Sequence, residues 1–233
     1  MKFQIECEIF EKFLGLSIGV LIAKRIDNHG QSAELLGLVR EKEKEIIEEF
    51  DIESLSQLPR IESWRKAYAS FGAKPSKYRN SVESLYRMIL KGMSLRQVNK
   101  IVDIYNYISI KHMIPAGGDD TAKVDGDIRL IFARGGEPFV ALNSTQRESA
   151  EKGEVVYVDD KEVLCRRWNW RECDKTKMTE ATQDVALVIE GLPPVSGQGL
   201  RFIVDDLSEL VKRYCGGDVR TVVLNQTERE VEI

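Results

Sequence analysis

The chain has 233 residues, 42% hydrophobic and 31% charged, which suits one large or two small soluble globular domains. A net charge of −4 excludes indiscriminate nucleic-acid binding, but the charge is uneven: Arg60–Lys100 holds ten Lys/Arg against Glu62 and Glu83, or +8, leaving −12 for the rest. The longest early apolar run, Leu14–Ala23, is about half a membrane span and follows Glu6, Glu8 and Glu11, so no membrane segment or basic-start signal peptide is expected and the cytoplasm is the expected location.

Residues 2–12 alternate apolar and polar, and 15–26 continue with Ile18, Val20 and Ile22. They read as two strands paired through a turn near Phe13–Gly15. The spacing of Leu35, Leu38/Val39, Ile46/Ile47 and Phe50 predicts a helix from Ser32 to Phe50, with Glu41–Glu45 on its solvated face. Helices follow at Ser63–Phe71, closed by Gly72, and at about 81–91; Ser94 is the expected cap of the next, carrying Leu95, Val98, Ile101, Val102, Tyr105 and Ile108. Pro115–Asp120 reads as a loop, then strands near 127–133, 138–142, 154–158, 162–168 and 184–190, with Asp159-Asp160 as a hairpin turn. A helix over Leu200–Tyr214 and a strand over Val219–Asn225 close the chain. This order predicts an α+β fold. The four cysteines (7, 165, 173, 215) and two histidines (29, 112) have no metal-site spacing, so neither a metal, a cofactor nor a disulfide framework is expected.

The densest stretch chemically is Arg166-Arg167-Trp168-Asn169-Trp170-Arg171-Glu172, which follows Val163-Leu164-Cys165. Continued strand alternation would send Trp168, Trp170 and Glu172 to one face, and Arg167, Asn169 and Arg171 to the other. Arg and Trp combine stacking with phosphate or carboxylate binding, although Trp-x-Trp can equally fill a core. Taken alone, Glu172 reads first as a surface ion pair with Arg171 or Lys175, because most Glu are solvated.

With Glu172–Thr179 and Thr182, the apolar run 184–190, Ile101–Tyr107 and Phe139–Asn143 in the same order, residues 60–195 resemble the B3/B4 editing module of the phenylalanyl-tRNA synthetase β subunit. Arg171-Glu172 stands at the Gly-Glu of that family's Gly-Gly-Glu turn, and the Trp-Asn-Trp-Arg version is similar to its free-standing members. The resemblance implies a B3/B4-like mixed sheet with packed helices. Segments 1–59 and 196–233 are read as extensions of one domain spanning 1–233.

The resemblance further implies hydrolysis, in trans, of the ester joining a wrong amino acid to the 3′ end of a tRNA. It makes Glu172 the substrate-recognition residue, with Trp168, Asn169, Trp170, Arg171, Asn106, Gly117 and Thr176 around the substrate. Asn143, Ser144 and Thr145 are candidates to orient the ester carbonyl or a water, though such residues at strand ends commonly serve turns. Gly117 stands here at the place of the family's His, and His112 lies five residues earlier, so no imidazole role is carried over. For the tRNA backbone the candidates are Arg65, Lys74, Lys77 and Arg79, with Tyr68 and Tyr78 to stack; Arg166, Arg167 and Arg171 would hold the terminal nucleotides or the substrate's own carboxylate. The expected partner is a tRNA 3′ end or aminoacyl-tRNA, with no DNA. The alternatives are a non-catalytic module for RNA or an amino-acid-like ligand, and an accessory subunit of a synthetase complex.

Overall fold

The computed structural model describes residues 1–233. In chain order the elements are β1 (Lys2–Ile5), α1 (Cys7–Lys12), β2 (Ser17–Lys24), α2 (Ala33–Glu49), α3 (Pro59–Ser70), α4 (Ser81–Leu90), α5 (Lys100–His112), β3 (Ala116–Asp120), β4 (Ile128–Phe132) and β5 (Pro138–Val140). They continue with β6 (Arg147–Ser149), β7 (Val155–Val158), β8 (Val163–Arg166), β9 (Arg171–Glu172), β10 (Val185–Gly191), α6 (Gly197–Tyr214), β11 (Asp218–Leu224) and β12 (Glu230–Glu232). The helices α2–α5 come in one run and the strands β3–β10 in the next, the segregation that marks an α+β fold.

All seven residues of β10 are buried, so this strand must be covered on both faces. Its alternation shows how. Val185, Leu187 and Ile189 join a core cluster with Ile104 and Ile108 of α5 and Leu207 and Val211 of α6. Ala186 and Val188 join a second cluster with Phe3, Leu130 and Val156 of the opposite sheet. A four-stranded sheet ordered β11-β2-β10-β3 thus lies between helices and a six-stranded sheet ordered β12-β1-β4-β7-β8-β9. Only the β1–β4 pairing in these sheets is parallel. A third cluster, including Val39, Ile61, Tyr86 and Ile110, binds α2, α3, α4 and α5.

Four sequence readings are corrected. The first strand stops at Ile5, because Ile9, Phe10 and Phe13 bury at helical spacing; β1 and β2 then enter different sheets rather than pairing. The cap of α5 is Asn99, whose side chain accepts from the Val102 N–H (3.1 Å), and not Ser94. Ala116–Asp120 is a strand paired with β10, not a loop. The strand 162–168 ends at Arg166, since Arg167 and Trp168 adopt φ of 46° and 68°, and the expected alternation ends with it.

Candidate active-site cleft

Two hollows meet at Glu172. A cleft of about 510 Å³ is lined by Arg96, Gln97 and Val98 before α5, by Val102 and Tyr105 on it, and by Gly118, Leu142, Asn143 and the segment Glu172–Met178 in part. Behind it lies a chamber of about 30 Å³ between the two sheets, with Asp119, Tyr157, Cys165, Trp168, Asn169 and Glu190 in its wall. Gly118 and Glu172 line both and so form the partition.

The chamber is acidic and holds no Lys, Arg or His among its lining residues. Glu190 ends the apolar run of β10 and faces the six-stranded sheet. Its carboxylate accepts from the Tyr157 hydroxyl (2.6 Å) and the Asn169 amide (2.6 Å), and Asn169 in turn accepts from Tyr68 (2.8 Å). Burial pushes the Glu190 carboxyl up to about 7, against the pull of these donors. Asp119 accepts from Thr176 (2.5 Å), and burial raises it to about 6. Glu172 stands well above the usual carboxylate range, first through burial and then through the charges of Asp119 and Glu190. The Cys165 thiol lies beside it in the chamber wall. The expected alternative pairings do not form: Arg171 reaches Glu148 (3.3 Å), and Lys175 is taken by Asp125 (2.7 Å) and Asp159.

Trp168 is fully buried against Phe13 (4.6 Å between centroids) and Trp64 (4.8 Å). Its indole N–H bears on the Glu190 carboxylate without reaching hydrogen-bond geometry, and the Ser81 hydroxyl in the same chamber also lacks a partner. Trp170 lies outside the chamber, edge-on to Tyr78 (4.9 Å).

The other expected site residues separate. Gly117 and Thr176 lie beside Glu172, and Asn143 reaches the cleft wall from a left-handed turn (φ 57°). Ser144 and Thr145 line neither hollow, and the Ser144 hydroxyl accepts the Gln146 N–H (3.1 Å) as a turn residue does. Asn106 faces a separate small hollow beside Asp103 and Leu95. His112 is held at the end of α5 by Asp206 (2.6 Å).

Among the expected nucleic-acid contacts, Lys74, Lys77 and Arg79 are exposed, with Lys77 over the Tyr78 ring. Arg65 is spent on the buried Glu83 (2.9 Å), and Tyr68 is buried and cannot stack on a base. Arg166 and Arg167 are likewise removed from solvent. Both pair with buried Glu154 (2.9 Å each), and Arg167 stacks on Tyr78 (3.8 Å). Desolvated cations need such partners, so these two brace the turn after β8 instead of facing a ligand.

Asp119, Tyr157 and Glu190 were not singled out from the sequence. For Glu190 a signal existed: it is the one acid inside the apolar run 185–191. Asp119 was hidden by the loop-like Gly117-Gly118-Asp119-Asp120.

Similar segments occur in phenylalanine–tRNA ligase β subunits. That of Chromobacterium violaceum is 38% identical over 78 residues, covering 34% of this chain and 10% of that protein. That of Paramagnetospirillum magneticum is 31% identical over 127 residues (54% and 15%), and that of Ruegeria pomeroyi 27% over 158 residues (58% and 20%). The chain thus spans 20% or less of the length of these relatives. An N-terminal fragment of the phenylalanyl-tRNA synthetase β subunit from Pyrococcus horikoshii superposes with a TM-score of 0.45 at 12% identity, covering 94% of this chain and 50% of that one. The B3/4 domain family model matches residues 63–216, from within α3 to just past α6, and so encloses every residue lining the cleft. The chain belongs to the B3/4 domain family.

Proposed function

We propose that this protein binds the 3′ end of an aminoacyl-tRNA and hydrolyses a misplaced aminoacyl ester in trans. The observation that carries this reading is the position of Glu172: a desolvated carboxyl, free of any ion pair, in the partition between cleft and chamber. Such a group gains most from a ligand hydrogen-bond donor, and it discriminates against analogues lacking that donor. An aminoacyl ester is already activated, so the cleft needs mainly to orient the carbonyl and a water. Asn143, one of the two amide side chains in the cleft wall, would do so. The exposed Lys74, Lys77 and Arg79 would hold the tRNA backbone. Segments 1–59 and 196–233 belong to the same functional unit in this reading, since β1 and β12 extend one sheet while β2 and β11 extend the other.

The test is deacylation of a panel of correctly and incorrectly charged tRNAs by wild type and Glu172→Ala. Selective turnover of one mischarged species, altered by the substitution, is the expected result. No turnover across the panel overturns it.

A second reading, binding without hydrolysis, is favoured by one observation. Of the hydroxyls expected at the site, Ser144 and Thr145, the candidates to orient water, lie outside the cleft, and Thr176, expected around the substrate, is spent on Asp119. Retained affinity for aminoacyl-tRNA without turnover would select it.

A further inference from the structure

Three arginines gather around a buried carboxylate at two places, and only one of the two balances. Beside β8, Arg166, Arg167 and Arg171 meet Glu148, Glu151 and Glu154, a cation for each anion. At α4, Arg65, Arg79 and Arg87 all meet Glu83, and no second acid pairs with any of them.

Glu83 is wholly buried, and Arg65 donates to both of its oxygens from one nitrogen (2.9 and 3.1 Å), which answers its single charge. Arg79 and Arg87 stand four residues before and four after Glu83, so both reach it along one side of α4. Both aim Nε at the same oxygen, Arg87 from 2.8 Å and Arg79 from 3.8 Å. They are therefore two surplus cations, steered to one point by an acid that Arg65 has already neutralised. The terminal nitrogens of Arg79 and Arg87 make no hydrogen bond within the chain and are not buried. Like charges that converge in this way repel unless an anion joins them. A guanidinium matches a phosphate's oxygens with paired N–H groups, and two can each take one non-bridging oxygen. Exposed Lys74 and Lys77 precede Arg79 along the chain, a run that suits repeating phosphates better than a lone carboxylate.

We infer that Arg79 and Arg87 form a clamp for a single phosphate group, with Glu83 as the fixed post that aligns them. Neither arginine lines the cleft or the chamber, so the clamp is a site separate from both. The source of the phosphate, an RNA backbone, rests on the aminoacyl-tRNA reading; the clamp itself rests on the charge imbalance around Glu83.

Titration of the full chain with inorganic phosphate at low ionic strength, followed by NMR at the arginine Nε–H resonances, tests the clamp. Wild type, Arg79→Ala, Arg87→Ala and Arg87→Lys are compared. The expected result is saturable binding at one site that shifts the Arg79 and Arg87 signals. Affinity should fall at least about tenfold in either alanine variant, and Arg87→Lys, which keeps the charge without the paired N–H groups, should restore it only in part. Arg79 is exposed, so its variant carries the test even where the loss of Arg87 disturbs α4. No saturable binding to wild type, or binding that Arg79→Ala leaves unchanged, overturns the clamp.

A parallel arm reads the RNA source from the salt dependence of tRNA binding, whose slope counts the phosphates neutralised. Two arginines that share one phosphate should lower the slope by about one when both are replaced by Ala. A fall of about two means separate phosphates and overturns the clamp, and an unchanged slope overturns the RNA source. Mischarged-tRNA turnover with an unchanged slope defeats this inference alone. Arginine-dependent phosphate binding without turnover of any charged tRNA defeats the hydrolytic reading alone.

Discussion

Oε1 of Glu172 lies so close to the backbone of Gly117 that a β-carbon on Gly117 would stand 3.0 Å from it. The absent side chain is what gives the carboxyl its room. Gly117→Ala should therefore shift the carboxylate by tenths of an ångström and weaken whatever Glu172 binds. Its cost in stability should be about 1 kcal/mol or less, because the contact is the end of a flexible side chain. Gly118→Ala is the contrast, since its β-carbon would meet the Ala186 carbonyl at 2.3 Å and the Leu187 backbone at 2.8 Å. Overpacking two paired strands should cost roughly 1–3 kcal/mol or more. Urea unfolding of the two variants should separate them clearly.

Stability should depend on pH through Glu190. Its folded pKa of about 7 lies above the ordinary 4.5, so the native state binds the proton more tightly than the unfolded chain between those values. Its contribution is then fullest below about 4.5 and declines as pH rises towards 7. The loss should be at most roughly 3 kcal/mol for a buried group shifted this far. Asp119 adds a decline of the same sign between 3.8 and about 6. Unfolding free energies from pH 4.5 to 7.5 should fall less steeply in Glu190→Gln; an identical slope would contradict the assignment.

Glu154→Gln should be strongly destabilising. It leaves the buried guanidiniums of Arg166 and Arg167 without the carboxylate they share. Breaking a buried pair costs roughly 3–5 kcal/mol, and the contact of Arg166 with Glu148 (2.9 Å) keeps the expectation near the lower end. Chemical denaturation measures it. In the proposed tRNA binding, the same variant should leave the salt dependence unchanged, because neither arginine faces solvent.

Lys74 and Lys77 should behave in the opposite way. Both are exposed, so their replacement by Ala should change stability by no more than about 0.5 kcal/mol. If they contact phosphates, each removal should reduce the salt-dependence slope of tRNA binding by about one. Filter-binding titrations at several salt concentrations give that slope, and an unchanged one would remove these lysines from the interface.

Much of the fold was legible because local pattern and tertiary role agreed. The periodicity of α2 and α6 and the apolar run of β10 placed those elements within a few residues. Failures occurred where distant groups took over. Ser94 lost the cap of α5 because Leu95 is held by Arg40 and Glu43, more than fifty residues away. The strand after Val163 stopped early because Arg167 must turn back to reach Glu154, a pairing that no local signal announces. The site was legible in the same uneven way. Glu172, Gly117 and Thr176 come together, whereas the chamber behind them depends on Asp119, Tyr157 and Glu190 from three separate strands.

That chamber lies in the seam of two sheets, closed by the bridge from Glu190 on β10 to Tyr157 on β7. Loops can drift in sequence at little risk to folding, but this recess is walled mainly by strand residues, and the turn that adds Trp168 and Asn169 is itself packed into the core. Most changes in what it accepts must come from substituting residues that also hold the sheets together. Altered selectivity and lost stability are therefore coupled in this scaffold. A lineage adapting the recess to a new ligand would need compensating changes elsewhere in the core before, or together with, the change itself.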